Sequence, residues 1–181
     1  MKASEVTLLC VGETLQDHPE HWLQRWQKKL RSALALPPLT ADITDEKLQH
    51  LFSFLHKIIE QQHKPIIFVT HGRGVYIAIK AAQLYPDSVK GGFFVAPTEK
   101  IPENLKPFFS HEGKLPFPSL VIASTDDAQI SCAHSQTLAN RWGSLFLEAG
   151  KCGHFDDVEA FGPWPEGGMV FAQFLTGLKE G

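Results

Sequence analysis

The 181-residue sequence has little that would staple, anchor or strongly polarise it. It holds only three cysteines, Cys10, Cys132 and Cys152, with no CxxC pair among them. A disulfide framework needs an even, patterned set, so these thiols point to a reducing, cytoplasmic setting. No apolar run approaches the roughly 20 residues that a membrane-spanning helix requires. In the opening MKASEVTLLCVGETL, Glu5 interrupts the approach to a short apolar run, and no small-residue cleavage site follows. It reads as a first strand and not as a signal peptide. Neither sign of charge dominates: 17 Lys and Arg oppose 20 Asp and Glu, for a formal net charge of -3. That balance gives no electrostatic case for nucleic acid or an anionic membrane as a partner. Repeats, low-complexity tracts and linkers are also missing, so residues 1–181 read as one domain. A chain of this length buries roughly 70% of its unfolded surface and needs no metal or disulfide to hold it.

What the sequence does have is an alternation of short apolar runs with longer helical patterns. Val6–Val11 reads as a buried strand that ends in the turn Gly12-Glu13-Thr14. Across Glu20–Leu34, Trp22, Trp26, Leu30 and Ala33 fall on one helix face, and Pro37-Pro38 closes the segment. A weak strand is expected within Leu39–Ile43, then a helix over Asp45–Gln62 with an apolar stripe from Leu48 to Ile59. Pro65–Thr70 is a continuous apolar run, as in a central parallel strand buried on both faces, and passes through His71-Gly72-Arg73-Gly74 into a helix over Val75–Tyr85. Strands are expected at Gly91–Ala96, Ser119–Ser124 and Ser144–Glu148, with helices at Ser131–Trp142 and Gly167–Leu178. Pro97–Pro118 has no periodicity and reads as a surface connection. Repeated βα units imply a three-layer α/β/α sandwich around a mostly parallel sheet. Ligands of such sheets bind beyond the carboxyl ends of the strands, which directs attention to the loops after Val11, Thr70, Ala96, Ser124 and Glu148.

A strand that enters a Gly-flanked turn and then a helix is the setting of the nucleophile elbow G-x-S-x-G. The corresponding residues are Thr70-His71-Gly72-Arg73-Gly74, with Gly72 in the nucleophile slot. Two later loops carry what acyl transfer needs next. Ser124-Thr125-Asp126-Asp127 offers a carboxylate to orient an imidazole, and Gly150-Lys151-Cys152-Gly153-His154 offers the imidazole. The order of nucleophile slot, acid and histidine is that of α/β-hydrolases.

Several separate motifs add to this order. His21-Trp22 with Trp26 forms HWxxxW, Leu115–Ser124 reads LPFPSLVIAS, and Gly162–Gly167 reads GPWPEG. With Gly153-His154, these make the chain resemble, over nearly its whole length, the small α/β-hydrolases related to retinoblastoma-binding protein nine and bacterial YdeN. The resemblance implies a minimal α/β-hydrolase fold without a large lid and an esterase-like serine hydrolase needing no cofactor. Its ligands would be small esters, amides or carboxylates. It places the general base at His154 and the triad acid at Asp127, with Asp126 as rival. It places the nucleophile at Gly72, where the family has serine. Arg73 would lend a backbone N–H to the oxyanion hole, the loop Gly12, Glu13 and Thr14 a second donor, and His71 would border the ligand. LxCxE is absent, since Gly12 stands where the glutamate would be, and no retinoblastoma-type partner is inferred.

Plainer readings stand beside these. Either aspartate could cap the helix near Ser131 or settle its turn. Gly72 has three readings: the residue a strained turn requires, a replacement for a serine, or the mark of a site that binds without cutting. In that last case the helix N-terminus and Arg73 would form an anion site. Cys152 reads as a structural thiol and not a substitute nucleophile. No ligand cluster accompanies His154, Asp156 and Asp157, so no metal is expected. Trp22, Trp26 and Trp164 read as packing residues.

Overall fold

The apolar runs lie side by side in the computed structural model, which describes residues 1–13, 19–40, 43–98, 101–109, 111, 113–156 and 161–178. In chain order the elements are β1 (Thr7–Val11), α1 (Trp22–Lys29), β2 (Ala33–Ala35), α2 (Asp45–Gln61), β3 (Ile66–His71) and α3 (Gly74–Leu84). There follow β4 (Val89–Val95), α4 (Lys106–Phe109), β5 (Ser119–Ala123), α5 (Cys132–Trp142), β6 (Leu145–Glu148) and α6 (Pro165–Gly177). The sheet order is β2-β1-β3-β4-β5-β6, and every pairing is parallel. The chain leaves β1 for one edge and returns to β3 to build toward the other. The loops after β1 and β3 therefore part at a topological switch point, where α/β sheets open a crevice.

Strand residues alternate between two cores, as the two-residue period of a strand demands. Leu9, Val11, Phe68, Phe94 and Val121 pack under α2, α3 and α5, while Leu8, Cys10, Ile67, Val69, Phe93, Val95 and Ile122 pack under α1 and α6. Both faces are covered, giving the three-layer α/β fold. Helix starts follow local chemistry: the Thr44 hydroxyl accepts from the Lys47 amide (3.3 Å) ahead of α2, and Ser131 does the same for His134 (3.2 Å) ahead of α5. No helix among the described residues is long and apolar enough to cross a membrane.

Three expectations need correction. The first long helix stops at Lys29, because Leu30 turns extended while its N–H still bonds to the Trp26 carbonyl. Ala33 then belongs to edge strand β2, opposite Leu8, instead of the helix face the spacing suggested. The weak strand expected at 39–43 is a single parallel bridge between Leu39 and Glu13, and residues 41 and 42 lie outside the described set. The connection after β4 contains a 3₁₀ turn at Glu103–Leu105 that leads into α4.

Candidate active site

The turn after β3 is fixed by two close approaches. Gly72 has φ +56°, a conformation that side chains resist, and its N–H donates to the Val95 carbonyl (3.1 Å). A Cβ on Gly74 would lie 2.3 Å from the Val11 carbonyl oxygen, so only glycine lets α3 begin against the end of β1. The second small residue of the elbow thus has a backbone cause.

The loops after β5 and β6 bring Asp127 and His154 together. Asp127 Oδ2 lies 2.8 Å from His154 Nδ1, with both side chains buried. A carboxylate only accepts, so Nδ1 carries the proton and Nε2 is left as the basic nitrogen. The other oxygen, Asp127 Oδ1, accepts from the amides of Gln129 (2.7 Å) and Ile130 (3.2 Å), which fixes the carboxylate's angle. The rival, Asp126, has a different task. Its Oδ1 accepts from Ser124 Oγ (2.7 Å) and from the Gly153 amide (2.9 Å), while Ser124 Oγ accepts from the Cys152 amide (2.9 Å). The Ser124 hydroxyl, followed by the Gly153 amide, holds the Asp126 carboxyl below its ordinary value. Asp126 pins the histidine loop, and Asp127 holds the imidazole.

Three further contacts aim that loop. Phe155 takes φ +55° directly after His154, and its carbonyl accepts from Trp22 Nε1 (3.1 Å). Trp164 packs on Trp22 at 5.0 Å between ring centroids. The HWxxxW and GPWPEG motifs therefore brace the histidine loop from behind. Inside this brace, His71 Nε2 donates to the His154 carbonyl (2.7 Å), and the two rings lie 5.0 Å apart. Burial, and then electrostatic repulsion from the neighbouring His154 ring, pushes the His71 imidazole below its ordinary value, which favours its neutral form. The structure thus moves His71 from the expected ligand border to a buried prop beneath His154.

The oxyanion side also differs from expectation. The Arg73 amide does point out of the elbow, but it donates to Glu13 Oε1 at 2.7 Å. Arg73 Nε lies 3.2 Å from the same oxygen, and both side chains are mostly buried. Glu13 is expected on a donor loop, yet its carboxylate is an acceptor and fills the place opposite the amide. A Cβ on Gly72 would lie 2.5 Å from Glu13 Oε1. The Gly12 carbonyl accepts from the Leu39 amide (2.9 Å), and Thr14 lies outside the described residues, as does Asp157. Cys152 turns its thiol to the Ala149 carbonyl (3.4 Å) of its own loop. The sequence signal for the Glu13 contact was the opposite charge of Glu13 and Arg73 in two loops expected at the same sheet edge.

A serine hydrolase family model matches residues 9–173, which is most of the chain. The chain belongs to the serine hydrolase family. Among solved structures, it is similar to a YdeN-like hydrolase from Pectobacterium atrosepticum, at 23% identity and a TM-score of 0.81, covering 97% of this chain and 94% of that one. It is also similar to the ydeN gene product of B. subtilis, at 18% identity and TM-score 0.67, covering 94% of this chain and 99% of that one. Est1E from Butyrivibrio proteoclasticus, with ferulic acid bound, is 14% identical with TM-score 0.65, covering 97% of this chain and 90% of that one. At these identities the structural neighbours share the α/β-hydrolase fold. No curated protein matches.

Proposed function

We propose that this chain is an esterase-type member of its family with a degenerate triad, in which Asp127 and His154 are kept and Gly72 stands in the nucleophile position. In the complete reaction a hydroxyl at position 72 would attack an ester, thioester or amide carbonyl. His154 Nε2 would take its proton, and Asp127 would steady the imidazolium. Here the observation that carries the reading is the 2.8 Å Asp127–His154 pair behind an elbow whose residue 72 has no side chain. The remaining route has His154 activate water directly against a small ester, amide or activated acid bound above the sheet. The three cysteines are free thiols, which supports a reducing, cytoplasmic location.

The test is a fluorophosphonate label with nitrophenyl ester turnover on the unaltered chain and on His154→Ala. The expected outcome is no covalent label at the elbow. Turnover should stay within roughly 10³–10⁴ of the uncatalysed rate and fall in the His154 variant. Stoichiometric labelling of residue 72's turn, or turnover far above that range, would sink the reading. A second reading, a protein that binds a carboxylate or ester without turnover, is favoured by the absence of a hydroxyl at residue 72 while the Asp127–His154 pair is kept. It predicts saturable ligand binding and a background rate that His154→Ala leaves unchanged.

A further inference from the structure

The contact between Glu13 and the elbow reaches beyond the missing hydroxyl. Glu13 Oε1 takes two donors at once, the Arg73 amide at 2.7 Å and Arg73 Nε at 3.2 Å. Its side chain is 18% exposed and that of Arg73 is 10% exposed, so water competes poorly for either. The same oxygen stands 2.5 Å from where a Cβ of residue 72 would be. Glu13 is held there by the chain as well, because its backbone bridges to Leu39 immediately after β1. An ionised carboxylate bonded to an amide and a guanidinium makes charge-assisted hydrogen bonds, about twice as strong as those of a neutral carbonyl. An ester carbonyl offered to that amide therefore meets a better acceptor already in place.

We propose that Glu13 is the resident ligand of the elbow, an autoinhibitory carboxylate that closes the Arg73 amide to any external acyl or carboxylate oxygen. The proposal rests on the elbow reading above, because it takes the Arg73 amide as the place where a ligand oxygen would sit. It makes the site closed by two features, not one: residue 72 has no hydroxyl, and residue 13 occupies the donor that would stabilise the reaction. A ligand must displace Glu13 before it can bind there, and its apparent affinity is reduced by the small fraction of molecules in which Glu13 is out.

Butyrate titration followed by the amide resonance of Arg73 tests this on the full chain and on Glu13→Ala. Glu13→Ser is substituted if the alanine variant loses its dispersed spectrum. The variant's Arg73 amide should shift saturably, and the unaltered chain should need at least about tenfold more butyrate for the same shift. Equal midpoints in the two proteins would overturn the proposal. So would dispersed spectra in which neither Arg73 amide moves, since removing Glu13 would then have opened nothing. A parallel fluorophosphonate label on the double variant Gly72→Ser with Glu13→Ala reports on the triad reading alone. If butyrate behaves as expected and that double variant stays unlabelled, the Glu13 inference stands and the Asp127–His154 reading fails.

Discussion

Adding a single methyl group at position 72 isolates the steric part of the argument, because alanine brings no chemistry. Gly72 sits at φ +56°, and a left-handed backbone costs a non-glycine residue about 1–2 kcal/mol. The new Cβ would also lie 2.5 Å from Glu13 Oε1, inside any tolerable contact. The carboxylate is the far end of a flexible side chain, so it can move, but it then gives up the Arg73 amide. A hydrogen bond to a charged group contributes about 1.5–3 kcal/mol, so Gly72→Ala should destabilise the chain by about 2.5–5 kcal/mol in total. In a Glu13→Ala background only the backbone cost of about 1–2 kcal/mol remains. Urea unfolding of the four proteins measures both values, and their difference is the coupling between positions 13 and 72. In a thermal scan the single variant should lose roughly 5–20 °C. An equal cost of Gly72→Ala in both backgrounds would refute the contact. A cost below about 0.5 kcal/mol in either would refute the strained turn as well.

Three other outcomes follow from the buried and hydrogen-bonded groups. Asp126 is held below its ordinary value of 3.8, so its contribution to the histidine loop is complete above that pH and is lost as pH falls through the lower folded value. The Gly153 amide resonance should report that titration, and a midpoint at or above 3.8 would contradict the assignment. His71 is held below 6.5, so as pH falls under 6.5 the unfolded chain gains a proton that the folded chain refuses. Stability should drop by up to about 1.4 kcal/mol per pH unit there from this group. His71→Gln, which keeps a donor for the His154 carbonyl, should flatten the slope; an unchanged slope would reject it. Burial pushes the Cys10 thiol up to about 12, while Cys132 and Cys152 are partly exposed. Burial and the Glu148 carboxylate also push the Cys132 thiol up, so iodoacetamide on the native protein at mildly alkaline pH should alkylate Cys152 before Cys132 and spare Cys10, as peptide mass spectrometry would show.

The legible parts of the fold were those whose causes are local. β3 and β5 are buried at every position, and a strand covered on both faces needs a continuous apolar run, which IIFVTH and SLVIA nearly are. α2 carries its stripe within its own residues, with its threonine cap directly before them. β2 has no such mark: ALA neither alternates nor forms a run, and it becomes a strand because β1 offers an unpaired edge. The helix-like spacing of Trp22, Trp26, Leu30 and Ala33 survived as a shared core, reached from helical backbone at the tryptophans and extended backbone at Leu30 and Ala33. The two tryptophan motifs were visible as strings, but their cause was not. The bond from Trp22 Nε1 to the Phe155 carbonyl joins residues 133 apart, and no local pattern encodes such a contact.

At the site, chain order placed the imidazole and the acidic loop, since both sit after strands of one parallel sheet. It could not choose between adjacent aspartates, because that choice depends on which way each carboxylate turns. Asp127 turns to His154 and Asp126 to the amide of Gly153, and a single-residue difference separates orienting the imidazole from holding its loop. Glu13 and Gly72 show the same dependence although they lie 59 residues apart in the chain. Considered one at a time, residue 13 was a member of the expected donor loop and residue 72 a missing hydroxyl. In space they contend for one volume: the Glu13 carboxylate rests where a side chain on residue 72 would begin. Glycine at 72 is what makes room for the carboxylate, and the carboxylate is what satisfies the amide that glycine leaves exposed. The two positions are therefore one physical feature, and a serine introduced at 72 without a change at 13 would meet a site already occupied.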